Sequence, residues 1–258
     1  MTDLHKLATE LNRLHADPEL LTVVNVWDVI TARTVAGVEG TKALATASHS
    51  IAASLGYADG ENIPVDLMIE AVGRIAAATD LPVSADLEAG YGNTGETVRK
   101  AIGVGIVGAN LEDQMKPLAE AVAAVEAALR AGQAEGIDFA LNARTDAFGK
   151  AGDRPHKDVL ADAIERGRAY LDAGAPVVFV PGKVGESDIE AFVEAWGPQR
   201  LTLIGAPGSV SLARMQELGV ARVSYGPFSQ SVALMALQDL ATDIEAGGTL
   251  PENFRVLN

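Results

Sequence analysis

Three stretches of the 258-residue chain place charged side chains where an apolar run gives way to a loop. Asp86 and Glu88 follow Leu81-Pro82-Val83, Glu112 follows residues 107–111, and Arg144 follows residues 139–142. In an extended chain residues i and i+2 face the same way, so Asp86 and Glu88 are expected to project together from a strand's exit. Two like charges held side by side repel, and burying them is costly unless a cation or donor compensates. A site built from carboxylate oxygens alone suits a hard divalent ion: magnesium with several of its waters retained, or manganese as a close substitute. Asp59, on the loop formed by residues 54–60, can lean over such a site. The same four acids also fit a solvated rim. Arg144 suits a substrate carboxylate or a developing enolate oxygen, because a planar guanidinium grips carboxylates bidentately. Its alternative is a structural partner for Asp86 or Glu112.

The totals narrow the chemistry. There is no cysteine, which removes disulfides, thiolate nucleophiles and sulfur-based metal sites. Of four histidines, His5 and His15 fall on an N-terminal helix and His156 opens an outer helix, so only His49 lies near a strand end. Magnesium is therefore favoured over zinc. The net charge of −15 repels phosphate backbones and anionic membrane surfaces, which argues against nucleic acid and membrane as partners. An anionic substrate would need a cation or a local arginine. With no basic leader and no apolar run of membrane-spanning length, the expected location is cytoplasmic.

The elements that must position these groups can be read from periodicity. Leu4, Leu7, Leu11 and Leu14 recur at helical spacing. Eight strands are expected at residues 21–26, 43–47, 81–86, 107–111, 139–142, 177–180, 201–204 and 222–225, with helices between them. No linker or charge block divides the chain. The expected fold is α/β, a single (β/α)8 TIM barrel over residues 1–258, with an extra helix within residues 1–17. In such a barrel the active site lies at the C-terminal strand ends, where Ser48, Asp86, Glu88, Glu112, Asp113, Arg144 and Lys183 collect. Ser48-His49-Ser50 reads as a hydroxyl-rich turn. Gly103-Val104-Gly105-Ile106-Val107-Gly108 spells a dinucleotide-binding pattern, but the helix comes before it and the strand after it, the reverse of what that motif requires.

Several separate stretches resemble one family, in its order, from about Asn25 to Gly182. Asp86-Leu87-Glu88-Ala89-Gly90-Tyr91-Gly92 is similar to the acidic, glycine-rich signature of the isocitrate lyase/phosphoenolpyruvate mutase superfamily. Asn110-Leu111-Glu112-Asp113-Gln114 resembles its second acidic motif and Asn142-Ala143-Arg144-Thr145-Asp146 its arginine motif. Asn25-Val26-Trp27-Asp28 and Ser54-Leu55-Gly56-Tyr57-Ala58-Asp59-Gly60 also fit. The resemblance implies a magnesium-binding barrel acting on a 2-oxo acid or its enolate. It assigns Asp86 as the direct metal ligand, Asp59, Glu88 and Glu112 as holders of the metal's waters, and Arg144 as the oxo-acid's partner. Ser48 and Ser50 would receive the substrate carboxylate. It further implies a homo-oligomer, a tetramer or a dimer, often with the last helix exchanged between neighbours.

The chain departs from the family in one place. The lyase branches carry a lysine–cysteine–glycine–histidine loop after the second acidic motif, whereas here Gln114-Met115-Lys116-Pro117 runs straight into a helix. Lys116 is the one catalytic candidate left there. The expectation is a carbon–carbon lyase or decarboxylase working through a pyruvyl enolate on a small 2-oxo or 2-hydroxy acid. The alternatives are phosphorus–carbon chemistry, as a phosphonomutase or phosphonopyruvate hydrolase on a phosphonate substrate, or a barrel that binds a 2-oxo acid without turnover.

Overall fold

The first strand closes the barrel. In the computed structural model, which describes residues 3–252, 254 and 255, the stretch expected as one strand is interrupted at Val24. Its first half, β1 (Leu21–Val23), pairs with β9 (Arg222–Ser224), and its second half, β2 (Asn25–Val26), pairs with β3 (Leu44–Thr46). The Asn25 side chain bridges the seam. Its Oδ1 accepts from the amides of Tyr225 and Gly226 at 2.8 and 2.7 Å, while its Nδ2 donates to the Thr46 carbonyl at 2.8 Å. A side-chain amide thus takes over hydrogen bonding where the ladder changes partner.

Between these edges lie β4 (Val83–Asp86), β5 (Gly108–Glu112), β6 (Ala140–Arg144), β7 (Val177–Val180) and β8 (Leu201–Ile204). All nine segments are parallel, in the order β1-β9-β8-β7-β6-β5-β4-β3-β2. Counting β1 and β2 as halves of one strand gives the eightfold α/β barrel. The intervening helices are α2 (Val29–Ala36), α3 (Ser48–Ser54), α4 (Val65–Ala76), α5 (Thr94–Gly103) and α6 (Leu118–Ala134). They continue with α7 (His156–Asp172), α8 (Glu186–Trp196), α9 (Leu212–Glu217) and α10 (Phe228–Glu245). Ser48-His49-Ser50 is not a turn but the first turn of α3, which starts directly after β3.

Helix α1 (Leu4–Ala16) covers the N-terminal end of the barrel, burying Ala8, Leu11, Leu14 and His15. Its approach depends on Gly108, where a Cβ would lie 2.8 Å from Leu11 Cδ2 and 2.6 Å from the Ala140 carbonyl. The glycine pattern at residues 103–108 is thereby explained by packing. Gly103 ends α5, Gly105 turns the chain with φ +103°, and Gly108 starts β5 under Leu11. The barrel interior carries a polar row. Asn142 donates to Asn110 Oδ1 and accepts from the Thr202 hydroxyl, both at 2.7 Å, so each buried amide has a partner.

Candidate active site

The residues expected to do chemistry do gather at the C-terminal strand ends. Asp86 closes β4, Glu112 closes β5 and Arg144 closes β6, with Glu112 and Arg144 in register. Arg144 is 26% exposed at its side chain and stands between two carboxylates, Nη1 at 2.9 Å from Glu112 and Nε at 2.7 Å from Asp146. Both contributions recognised for this arginine therefore coexist: it is ion-paired, and it faces the strand-end cleft. Burial works against its charge, yet Glu112, Asp146 and Asp86 together hold its pKa above the ordinary value. Burial pushes Glu112 up to about 7, against the pull of Arg144 and with a further push from Asp146 and Asp86. Lys116 is exposed on the turn after β5 and lines the same cleft, about 170 Å³ in volume, as Glu112, Asp113 and Arg144.

Strand alternation does not carry Glu88, contrary to the simple expectation. The strand ends at Asp86, and Glu88 has φ +50°, so the backbone has already turned into the left-handed region. The two acids remain neighbours, since the Asp86 charge adds to the burial that raises Glu88's pKa. Asp86 accepts from both the amide and the hydroxyl of Ser48, at 3.1 and 2.8 Å. Glu88 is 3% exposed, accepts from the Tyr91 hydroxyl at 2.9 Å, and takes the Glu61 amide on its other oxygen. Asp59 is exposed on the loop above and contributes its charge to Glu88. Ser50 is the residue set apart: it is fully buried, its hydroxyl has no partner among the described residues, and its carbonyl accepts from Gln230 at 3.1 Å.

Two features were not visible in residue types. Glu61, Glu88, Tyr91, Gln114 and Met115 all hold positive φ, between 50° and 63°, and all lie on the loops that rim this site. Non-glycine residues in that region are uncommon and store strain that tends to cluster at functional sites. Nothing in their identities signals it, although Gly60, Gly90 and Gly92 beside two of them, Glu61 and Tyr91, mark tight turns. The second feature is Asp113. Its buried carboxylate accepts from the amides of Met115 and Asp146, from the Tyr170 hydroxyl at 2.7 Å and from Arg166 at 3.2 Å. Burial would raise its pKa, but these donors bring it below the usual carboxylate range. Asp113 thus ties the exits of β5 and β6 to α7.

The donors present are compatible only with an ion that few protein carboxylates hold directly. Among the described residues no three acidic or histidine side chains converge into a cage. Asp86, Glu88 and Glu112 lie at the ends of neighbouring strands or just past them, and each is held by hydrogen bonds or an ion pair within the protein. Magnesium commonly binds through one or two carboxylates and keeps its remaining waters, so the absence of a three-ligand cage among the described residues does not conflict with it.

The structure is a parallel α/β barrel with an acidic cluster and a facing arginine at its C-terminal strand ends. The chain matches the family model for phosphoenolpyruvate phosphomutase over residues 11–245, and it belongs to that family, within the superfamily of magnesium-dependent lyases and mutases. A solved candidate phosphonomutase from Burkholderia cenocepacia J2315 is 38% identical, with a TM-score of 0.86 over 95% of this chain and 100% of the other. A structure of oxaloacetate acetylhydrolase with its product oxalate is 26% identical, with a TM-score of 0.85 over 97% and 90%. The 2,3-dimethylmalate lyase of Eubacterium barkeri is 26% identical over 94% of this chain and 87% of its own length. The chain is accordingly an enzyme of a group whose members are lyases and mutases.

Proposed function

We propose that this chain is a magnesium-dependent carbon–carbon lyase or decarboxylase acting on a small 2-oxo or 2-hydroxy acid through a pyruvyl enolate. The observation that carries this reading is the juxtaposition at the barrel mouth of Arg144 with Asp86 and Glu112. Asp86 would be the direct ligand, with Asp59, Glu88 and Glu112 holding waters. The chemistry magnesium supplies in such a site is Lewis-acid polarisation of a 2-oxo acid. Arg144 would hold the oxo-acid and offset the negative charge that grows on its oxygen, fixed in place by Asp146 so that little reorganisation is needed. Ser48 and Ser50, in the first turn of α3, would receive the carboxylate, which requires Ser50 to become accessible. Lys116 Nζ is the proton carrier available in the cleft.

A second reading, phosphorus–carbon chemistry on a phosphonate, is favoured by the 38% identity to the candidate phosphonomutase. The same reading of the family supports a homo-oligomer. Helix α10 exposes Val232, Leu234, Met235 and Leu237 at 56–68%, an apolar surface suited to another copy of the chain.

Calorimetry with oxalate, an enolate mimic, tests the site. Tight binding that requires magnesium and is lost in Asp86→Asn supports it; wild-type protein that ignores oxalate with and without magnesium refutes it. Turnover assays on oxaloacetate, 2,3-dimethylmalate and phosphonopyruvate then separate the two bond types.

A further inference from the structure

Arg222 is a buried cation with no counter-ion in contact. Half-buried Arg144 is paired with Glu112 and Asp146, and buried Arg166 with Asp113 and Asp162. Arg222 lies on β9, is 1% exposed, and makes a single side-chain hydrogen bond, Nη1 to the Ser84 hydroxyl at 3.2 Å. Among the described residues its Nε and Nη2 have no partner. In the sheet, β9 and β4 are separated by β1, β2 and β3 on one side and by β5 to β8 on the other. The Arg222–Ser84 bond therefore spans the barrel interior. Ser84 precedes Asp86 by two residues on β4, so the guanidinium lies deeper in the barrel than the acidic cluster at its mouth.

A charge in this position acts by its field. An unpaired ion in a low-dielectric interior is costly, and replacing such an ion by an apolar side chain is often neutral or stabilising. What it can supply is positive potential that surface salt does not screen. The site above it needs such potential, because the chain carries −15 overall and Arg144 is already neutralised by two carboxylates. Burial lowers the Arg222 pKa to about 10, with the Asp86 charge opposing, which leaves the group protonated at neutral pH.

Building on the site assignment above, we propose that Arg222 is a specificity-determining residue of the barrel floor, whose uncompensated charge raises the affinity of the strand-end site for anionic ligands and lowers it for cations. It acts without touching the ligand. Its removal should therefore move the two affinities in opposite directions, which a packing role would not do.

The test uses the full chain as wild type, Arg222→Met and Arg222→Lys, with calorimetric titration of magnesium alone and of oxalate at saturating magnesium. Arg222→Met is expected to bind oxalate about ten-fold more weakly, about 1.4 kcal/mol, and to bind magnesium more tightly. Its melting temperature should hold or rise, and the oxalate deficit should persist in 0.5 M salt, where the Debye length falls to about 4 Å but a buried charge is screened much less than a surface one. Arg222→Lys, which keeps the charge, should recover most of the oxalate affinity. Two results overturn the proposal: an Arg222→Met protein that melts lower while both affinities stay at wild-type values, or one in which both affinities fall together and lysine fails to restore them. Wild-type protein that binds no oxalate would instead refute the site assignment, and this inference with it.

Discussion

His15 offers a sharp test of how the N-terminal end of the barrel is closed. The side chain is 1% exposed on α1, and neither ring nitrogen has a partner among the described residues. Burial, helped by the Arg222 charge, lowers its pKa to about 3. In the unfolded chain an imidazole titrates near ~6.5. Below that pH the unfolded state takes up a proton that the native state refuses, so stability falls as pH drops from 6.5 towards 3. Each pH unit inside this window contributes about 1.4 kcal/mol, and between pH 7.5 and 5 the loss from this one residue reaches about 2 kcal/mol. His15→Leu is similar in volume and cannot titrate. Urea denaturation of wild type and variant, at matched protein concentration and ionic strength, at pH 7.5, 6.5, 5.5 and 5.0, isolates the term as a difference. The wild type should lose about 2 kcal/mol more than the variant across that range. Curves that stay parallel to within about 0.5 kcal/mol would refute the reasoning, because His15 would then be hydrated or protonated in the native state.

Two further outcomes follow from the packing. Tyr170→Phe removes one of the donors to buried Asp113 while leaving Arg166 and two amides in place; chemical denaturation should show a loss of about 1–2 kcal/mol with the barrel's circular dichroism unchanged. On α10, Leu234→Glu combined with Leu237→Glu places charges on positions that are 56% and 61% exposed in one copy; light scattering should report a smaller assembly than wild type, and an unchanged mass would argue that this face meets no second copy.

Several parts of the molecule followed from residue order alone. Alternating apolar runs and helical spacings specify the barrel, because strand and helix periods differ and no linker interrupts their alternation. That alternation puts Asp86, Glu112 and Arg144 at strand ends, and the family signatures around them point to the same face. The seam at Val24 was not readable, since it depends on one strand meeting two different neighbours, with Asn25 joining them. Nor was the first turn of α3 at Ser48, where the helix follows its strand without a loop. No helix among the described residues is long and apolar enough to cross a membrane.

The pair Asp86 and Glu88 marks the boundary most clearly. Their spacing places two acids at one strand exit, but the strand ends at Asp86, so the shared facing that alternation predicts does not extend to Glu88. Glu88 turns left-handed and is clasped by Tyr91, three residues on, and by the amide of Glu61, 27 residues back, the latter a contact that needs β3 and β4 paired. Arg222 is the extreme case. In the sequence it is an ordinary arginine at the start of a strand. Only closure of the barrel, bringing β9 and β4 to face one interior, turns it into a buried charge beneath the acidic mouth.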